Sequence, residues 1–406
     1  KDGYEDYLFN IEWEPEGKTE YSVNLKEKLE DDIFVPILTT VVTNGRVEKK
    51  WKIRKERALK ETIERSPNVK SVTRITNYND KTLWVSNPVV SRDGESLIYV
   101  LTVLEQTKNK GEVKAYSNIW AQKIGSPLKT RITFGRYSDQ APCFVEDGAR
   151  IIFSSDRNSV NHCLWSVGAN GGGGLTKLTG NQSDDMSPSS GGDYIAFESE
   201  IPGADAPQIW SVRLDGSFLT QLREGESPSM RRDGKKILFI RKDERTEKEQ
   251  IWVMDVDGGH ETLLSNDPEV SDIDPQYSPD GQYIIFASDA GVDQSGIHNY
   301  DIWIMNSDGS NRTQLTTNGS RDTEPCWSPD GKYVYFRSNR GLSPNIWRFE
   351  LTSGLVKKKG SSEPPSSLSK DTPSLNTLDK KIYQRLGLDA PGVDVENGNQ
   401  IGVNPN

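Results

Sequence analysis

The sequence predicts an all-β fold: a six-bladed β-propeller of four-stranded blades, with a small N-terminal segment and an extended C-terminal tail. Two observations carry this prediction. Six tryptophans (Trp120, Trp165, Trp210, Trp252, Trp303 and Trp347) each follow a branched apolar residue and are separated by 45, 45, 42, 51 and 44 residues. Ahead of them, at similar distances, stand Ser91-Arg92-Asp93-Gly94, Glu146-Asp147-Gly148, Ser190-Gly191-Gly192, Arg232-Asp233-Gly234, Ser278-Pro279-Asp280-Gly281 and Ser328-Pro329-Asp330-Gly331. A period of about 40–50 residues built from short strands is the signature of one propeller blade per repeat.

Residues 1–70 form an N-terminal extension. Its first part mixes Tyr4, Tyr7, Phe9 and Trp13 with acidic residues, and a strand-like run follows from Phe34 to Thr43. Trp51, Lys55, Ala58, Leu59, Thr62 and Ile63 are spaced i, i+4, i+7, i+8, i+11 and i+12, which predicts an amphipathic helix packed on the propeller. A free, partner-binding helix is the alternative.

Residues 71–354 hold the propeller, and the fifth repeat shows how one blade is written. Pro275-Gln276-Tyr277-Ser278 is its inner strand, and Pro279-Asp280-Gly281 makes a tight turn in which glycine accepts positive φ without steric cost. Tyr283 to Ala287 is an apolar second strand, buried on both faces. Asp301 to Asn306 is the third, Asp308-Gly309 turns again, and Thr313 to Thr316 is the outer strand. The tryptophan fills space between neighbouring blades, where one large aromatic contributes much of the packing. The sixth repeat ends after Trp347-Arg348-Phe349-Glu350-Leu351 without a fourth strand, while Ser71 to Thr76 stands alone before the first. Val72 to Thr76 is therefore expected to supply the missing outer strand, close the ring and remove two exposed sheet edges. Residues 355–380 read as a Ser/Pro/Lys-rich linker with Lys357-Lys358-Lys359 and Pro364-Pro365, and residues 381–406 as a C-terminal tail.

Composition narrows the functional classes. The net charge of −10 argues against generic nucleic-acid binding. No apolar run approaches the roughly 20 residues of a membrane span. Cys143 and Cys326 share the slot after the repeat proline in non-adjacent blades, and Cys163 begins a third strand. Buried thiols rather than a disulfide are expected, because a disulfide needs Cα atoms within about 7 Å.

The chain carries few signatures of catalysis. There is no Gly-x-Ser-x-Gly elbow, and the three histidines, His162, His260 and His298, show no metal-ligand spacing. Gly171 to Gly174 occupies the slot of a hairpin turn in the other repeats and is read as that turn. With 60 acidic residues, chance carboxylate pairs are too many to nominate one. The expectation is no catalytic residue, no metal and no cofactor. One constellation recurs: an Asp three residues before the repeat proline in four of six blades, Asp139, Asp185, Asp272 and Asp322. These lie on loops entering the inner strands and should surround one mouth of the central channel. Each carboxylate either accepts hydrogen bonds within its own turn, or the four form an acidic ring that attracts a cation or a basic peptide. Arg157 and Arg340 belong to loops on the same face, so the six residues together make the candidate partner-binding set.

The segments Pro275 to Thr316 and Pro325-Cys326-Trp327-Ser328-Pro329-Asp330-Gly331 through Ile346-Trp347 resemble the TolB-like propellers, also called PD40 or WD40-like repeats. The resemblance covers roughly residues 72–354. It is weakest in the first and third repeats, where the full Ser-Pro-Asp-Gly is missing, and the N-terminal extension is smaller than the α/β domain of TolB itself. It implies a non-enzymatic protein-interaction scaffold of the bacterial cell envelope, periplasmic after removal of an export signal ahead of Lys1. Its partners are then envelope proteins in a larger assembly. The alternatives are a carbohydrate- or peptide-binding propeller and a propeller lyase or hydrolase. The histidine poverty argues against the last.

Overall fold

The computed structural model describes residues 32–43, 46–57, 63–80, 82–106, 113–145, 148–171, 174–180, 182–292 and 298–352. Among these there is no α-helix; short 3₁₀ geometry occurs at Arg340–Leu342 and at Gly148, and the described elements are otherwise β-strands. An N-terminal hairpin pairs β1 (Asp32–Thr43) with β2 (Arg46–Arg57) in continuous antiparallel register. The closing strand β3 (Val69–Arg74) follows. Blade 1 is β4 (Leu83–Val90), β5 (Ser96–Gln106), β6 (Val113–Lys123) and β7 (Lys129–Arg131). Blade 2 is β8 (Gln140–Val145), β9 (Arg150–Ser155), β10 (Cys163–Gly168) and β11 (Thr176–Lys177). Blade 3 is β12 (Asp184–Gly191), β13 (Tyr194–Glu200), β14 (Gln208–Arg213) and β15 (Thr220–Glu224). Blade 4 is β16 (Glu226–Met230), β17 (Lys236–Lys242), β18 (Glu249–Asp255) and β19 (Thr262–Leu263). Blade 5 is β20 (Asp272–Tyr277), β21 (Tyr283–Ser288), β22 (Asp301–Asn306) and β23 (Thr313–Gln314). Blade 6 is β24 (Asp322–Trp327), β25 (Tyr333–Ser338), β26 (Asn345–Leu351) and, as its fourth strand, β3.

The ring closes as the sequence predicts, with a slightly earlier strand. Arg74 pairs Trp347, Thr73 pairs Arg348, and the amides of Ile75 and Thr76 both donate to Ile346 O. The first strands of successive blades pack on one another around the central axis, β24 against β4 included.

The helix expected over residues 51–63 is not formed. Trp51 and Lys55 lie on β2, and Ile63 is in extended chain; Ala58, Leu59 and Thr62 lie outside the described residues. The physical reason is a competing period. Val47, Trp51 and Ile53 also alternate at period two, and β1 offers a Val/Ile/Thr-rich partner that a lone helix lacks. The linker and tail, 355–380 and 381–406, lie outside the described residues.

Six hydrophobic clusters coincide with the six blade interfaces. Each contains one cross-strand aromatic pair: Tyr99 opposite Trp120, and Phe153, Phe197, Phe239, Phe286 and Phe336 opposite Trp165, Trp210, Trp252, Trp303 and Trp347. In each case the pair packs against the preceding blade, as Phe286 and Trp303 do with Leu238, Ile240 and Ile251 of blade 4. Direct cross-strand partners on one sheet face approach closely enough for such aromatics to pack as a unit.

The turn signatures are explained by their hydrogen bonds. In blade 5 Ser278 Oγ donates to Asp280 Oδ1 (2.6 Å), which also accepts the Gln282 amide (3.1 Å), while Gly281 N donates to Ser278 O (2.8 Å). Blades 1 and 6 repeat this with Ser91-Asp93 and Ser328-Asp330. In blade 4 Arg231 replaces the serine and grips Asp233 with two bonds of 2.9 Å. Blade 3 departs from the signature for a reason of space. A Cβ on Gly191 would stand 2.2 Å from Arg231 O, and Gly192 N donates to Arg232 O, so this turn is pressed against the next blade.

Phe286→Ala should therefore cost about 3–5 kcal/mol, because Phe286 is fully buried within one interface. Urea denaturation should show it, with Leu128→Ala at an exposed position as a near-neutral control.

Candidate interaction face and central channel

The predicted acidic residues occupy the loop-bearing face, but their carboxylates are turned inward. Asp139, Asp272 and Asp322 have no solvent exposure, and Asp185 is buried. Three of them sit in a recurring clamp. In blade 2 Arg157 Nη2 donates to both oxygens of Asp139 (2.6 Å each), Ser155 Oγ donates to Asp139 Oδ1 (2.6 Å), and Arg157 Nε donates back to Ser155 Oγ (3.0 Å). Asn118 of blade 1 adds a donor to the same carboxylate, so the clamp ties two blades. Blade 6 repeats it, with Arg340 Nη2 on Asp322 (2.5 Å) and Nε on Ser338 Oγ (2.9 Å). In blade 5 the slot after Ser288-Asp289 holds Ala290. Arg312, from the start of the outer strand, reaches Asp272 instead with bonds of 2.6 and 2.9 Å.

Each clamp arginine lies over the aromatic pair of its own blade. The guanidinium of Arg157 is 5.4 Å from the Phe153 ring and 5.7 Å from Trp165. Arg312 is 4.9 Å from Phe286 and 5.6 Å from Trp303, and Arg340 is 5.2 Å from Phe336 and 5.5 Å from Trp347. Desolvated cation–π contact of this kind holds the arginine in place while its guanidinium meets the carboxylate. The structure thus brings Asp139 to Arg157 and Asp322 to Arg340, and leaves Asp272 and Asp185 in separate blades with other partners.

Asp185 is the incomplete case. Ser183 and Ser199 donate to it at 2.8 and 2.7 Å, but Ile201 stands where the arginine would be. Burial pushes its carboxyl up to about 6, with the hydroxyl donors opposing.

A second ring was not singled out by sequence. Every first strand carries a bulge at the repeat proline, where the register shifts. Proline has no N–H for the ladder, and the bulge takes it out of the pairing. The preceding residue adopts a left-handed backbone in all six blades: Asn87, Ala141, Ser187, Ser227, Asp274 and Glu324, with φ from 46° to 53°. Two of these side chains link blades. Glu324 N donates to Asp274 Oδ2 (3.0 Å), and Asn87 N donates to Glu324. Ser227 N donates to Glu198 Oε2 (2.6 Å) in the same manner. Burial pushes the Asp274 carboxyl above its usual range, opposed by the Glu324 amide and by Arg321 and Arg337. This position stands directly before the repeat proline, two residues nearer to it than the Asp slot.

While the charges are closed, the loops on this face expose apolar side chains: Ile63, Phe134, Val160, Ile201 and Val292, with Val160 at 95%. Phe134 and Val160 belong to loops joined by Ser138 N donating to Asp156 Oδ1 (2.7 Å). Blade 1 adds a ribbon, because β5 and β6 remain paired out to Gln106 opposite Val113. All three cysteines are free; burial pushes Cys143 and Cys326 up to about 12, which keeps them thiols. Among the described residues no group of His, Cys, Asp and Glu is placed to hold a metal ion, and no helix is long and apolar enough to cross a membrane.

This architecture is that of a velcro-closed six-bladed propeller whose loop face exposes apolar side chains among charged ones. The chain belongs to the PD40 family, the TolB beta propeller domain, whose model matches residues 72–297 and 291–382. It is 24% identical over 241 residues to the uncharacterized peptidase YuxL of Bacillus subtilis, covering 54% of this chain and 32% of that protein. The chain thus spans about a third of that relative's length. Among solved structures it is similar to TolB from Acinetobacter baumannii (20% identity, TM-score 0.46, 60% of this chain and 57% of that one). It is also similar to oligogalacturonate lyase from Vibrio parahaemolyticus (11% identity, TM-score 0.46, 80% and 98%).

Two substitutions test the clamps. Arg157→Met leaves Asp139 buried without its cation and should cost about 3–5 kcal/mol in urea denaturation at pH 7. Ile201→Arg should do the reverse for Asp185. Because the folded carboxyl is raised, the wild-type chain loses stability as pH climbs from about 4 through 6, on the order of 3 kcal/mol in all. With the arginine in place that loss should shrink, read from unfolding midpoints at pH 5 and pH 8.

Proposed function

We propose that this protein is a non-enzymatic interaction scaffold of the bacterial cell envelope. It works in the periplasm and binds protein partners through the loop face of the propeller and its terminal extensions. The observation that carries this reading is the contrast between the clamps and the loops around them: Asp139, Asp272, Asp322 and their arginines are engaged in internal ion pairs, while Phe134, Val160, Ile201 and Val292 meet solvent. Apolar side chains rimmed by polar loops on a rigid scaffold suit protein contacts, where a few such anchors dominate the binding energy. Membership of the TolB propeller family supports the same reading.

The peptidase name of the Bacillus relative raises an enzymatic reading, and the site chemistry weighs against it. A hydrolytic histidine needs a nucleophile at one ring nitrogen and an acid at the other. His162 Nδ1 lies 3.3 Å from Asp184 Oδ1, yet its Nε2 is buried without a hydrogen-bond partner. His260 sits beside Asp255 at an exposed position, remote from the channel bulges in sequence and strand.

Site-specific photo-cross-linking in native envelopes tests the proposal. Probes at Phe134 and Val160 should give discrete protein adducts, while probes at Leu128 and Leu175, exposed near the opposite turns, should not. Adducts of equal intensity from both sets, or none from either, would discard the loop face as the docking surface.

A further inference from the structure

The clamp of blade 6 differs from the others in holding a carboxylate from outside the repeats. Residues 63–68 run as a strap over blades 5 and 6 into the closing strand. Glu64 Oε1 accepts from Thr317 N (3.0 Å) and Thr317 Oγ1 (2.9 Å), and its Oε2 lies 3.4 Å from Arg340 Nη2. Asn318 Nδ2 donates to Ile63 O (2.9 Å), Asn68 Nδ2 donates to Gln314 O (2.9 Å), and Thr352 N donates to Asn68 O (3.1 Å). The side chains of Glu64, Asp322 and Arg340 are almost wholly buried, and Asp301 has no exposure.

Three carboxylates therefore share one guanidinium. Arg340 makes a single bond to Asp322, and its Nη1 and Asp322 Oδ1 are left without a hydrogen-bond partner. Asp301 accepts from Gln314 Nε2 (2.9 Å) and Thr316 Oγ1 (3.4 Å). Gly291 closes over it so tightly that a Cβ would stand 2.8 Å from Asp301 Oδ2. The charged groups that face Asp301 are Asp322 at the start of β24, Glu64 of the strap and Arg340 of the loop after β25. Fully ionised, this buried set carries two uncompensated negative charges, which burial makes costly.

We propose that Glu64 is a proton-gated latch: the strap stays seated on blades 5 and 6 while the Glu64–Asp301–Asp322 cluster keeps a proton, and lifts when that proton leaves. Burial first, then Asp322 and Glu64, pushes the Asp301 carboxyl up to about 9. Burial pushes Asp322 up to about 6 against the pull of Arg340. A lifted strap lets water in and removes one charge from the cluster, so both carboxyls return toward their ordinary range. The seated state thus binds protons more strongly, and seating weakens as pH rises from near 6 to about 9. One linked proton sets a ceiling of about tenfold in the seating equilibrium per pH unit. Lifting bares the Arg340 clamp on the loop face and frees the chain leading into the closing strand.

Hydrogen exchange followed by mass spectrometry on the full chain tests this, with rates corrected for the intrinsic effect of pH. Between pH 6 and 9 the protection of residues 63–74 should fall several-fold per unit, while a core reference around Ile284–Ala287 holds. Asp301→Asn supplies a neutral isostere, so its strap should stay protected at pH 9 with a flattened slope. If that variant does not fold, Glu64→Gln, which keeps an acceptor for Thr317 and removes one charge, should flatten the slope too. A wild-type strap whose protection ignores pH, a variant that keeps the wild-type slope, or simultaneous loss of strap and core protection would each overturn the latch.

Discussion

Each of the six blade interfaces rests on one aromatic pair, a Phe or Tyr on the second strand directly opposite the tryptophan of the third. That pair is the constraint on which the rest of the molecule depends. A four-stranded blade cannot bury both faces by itself, so stability comes from stacking blades, and the pair supplies the largest apolar volume at each stack. It also prepares the polar layer above it. The clamp arginines pass over the pair before reaching their carboxylates, so packing helps to position the charges.

This layering accounts for the way charge is used on the loop face. A buried carboxylate is tolerable when a planar guanidinium and hydroxyl donors satisfy it, and blades 2 and 5 do this within the repeat. Blade 3 has no arginine in this slot and holds Asp185 with hydroxyl donors, Thr179, Ser199 and Ser183. Blade 6 has the cation but admits Glu64 beside it, at the place where the ring is closed by a strand from the other end of the propeller. Closure in this fold is non-covalent, carried by the ladder of β3 on β26 and the contacts of the strap. The same segment thus determines whether the ring is shut and what covers the adjoining face.

At the axis a different economy applies. The repeat prolines cannot join the ladder, and each inner strand answers with a bulge and a left-handed residue. Such conformations cost on the order of 1–3 kcal/mol each and persist only where surrounding structure fixes them. Here the neighbouring blade does so in part, through the carboxylates of Asp274, Glu324 and Glu198 on the bulge amides of Glu324, Asn87 and Ser227.

The sequence by itself determined the blade count, the strand order within a blade and the closing strand. Those features repeat six times or fail to repeat once, and period and turn chemistry are local properties. It also placed Asp139, Asp185, Asp272, Asp322, Arg157 and Arg340 on one face as a single candidate set, since their slots recur before the proline and after the second strand, without pairing any acid with an arginine. What it left open was direction and company. The segment at Trp51 fits a helix or a strand by its own pattern, and pairing with β1 decided for the strand. Asp272 finds Arg312, forty residues away, only because Ala290 vacates the usual slot. Glu64 meets Arg340 because ring closure brings the two ends of the propeller to one face. Only the tertiary structure turned the four aspartates inward, because whether a carboxylate faces water or a guanidinium depends on packing that no repeat pattern records.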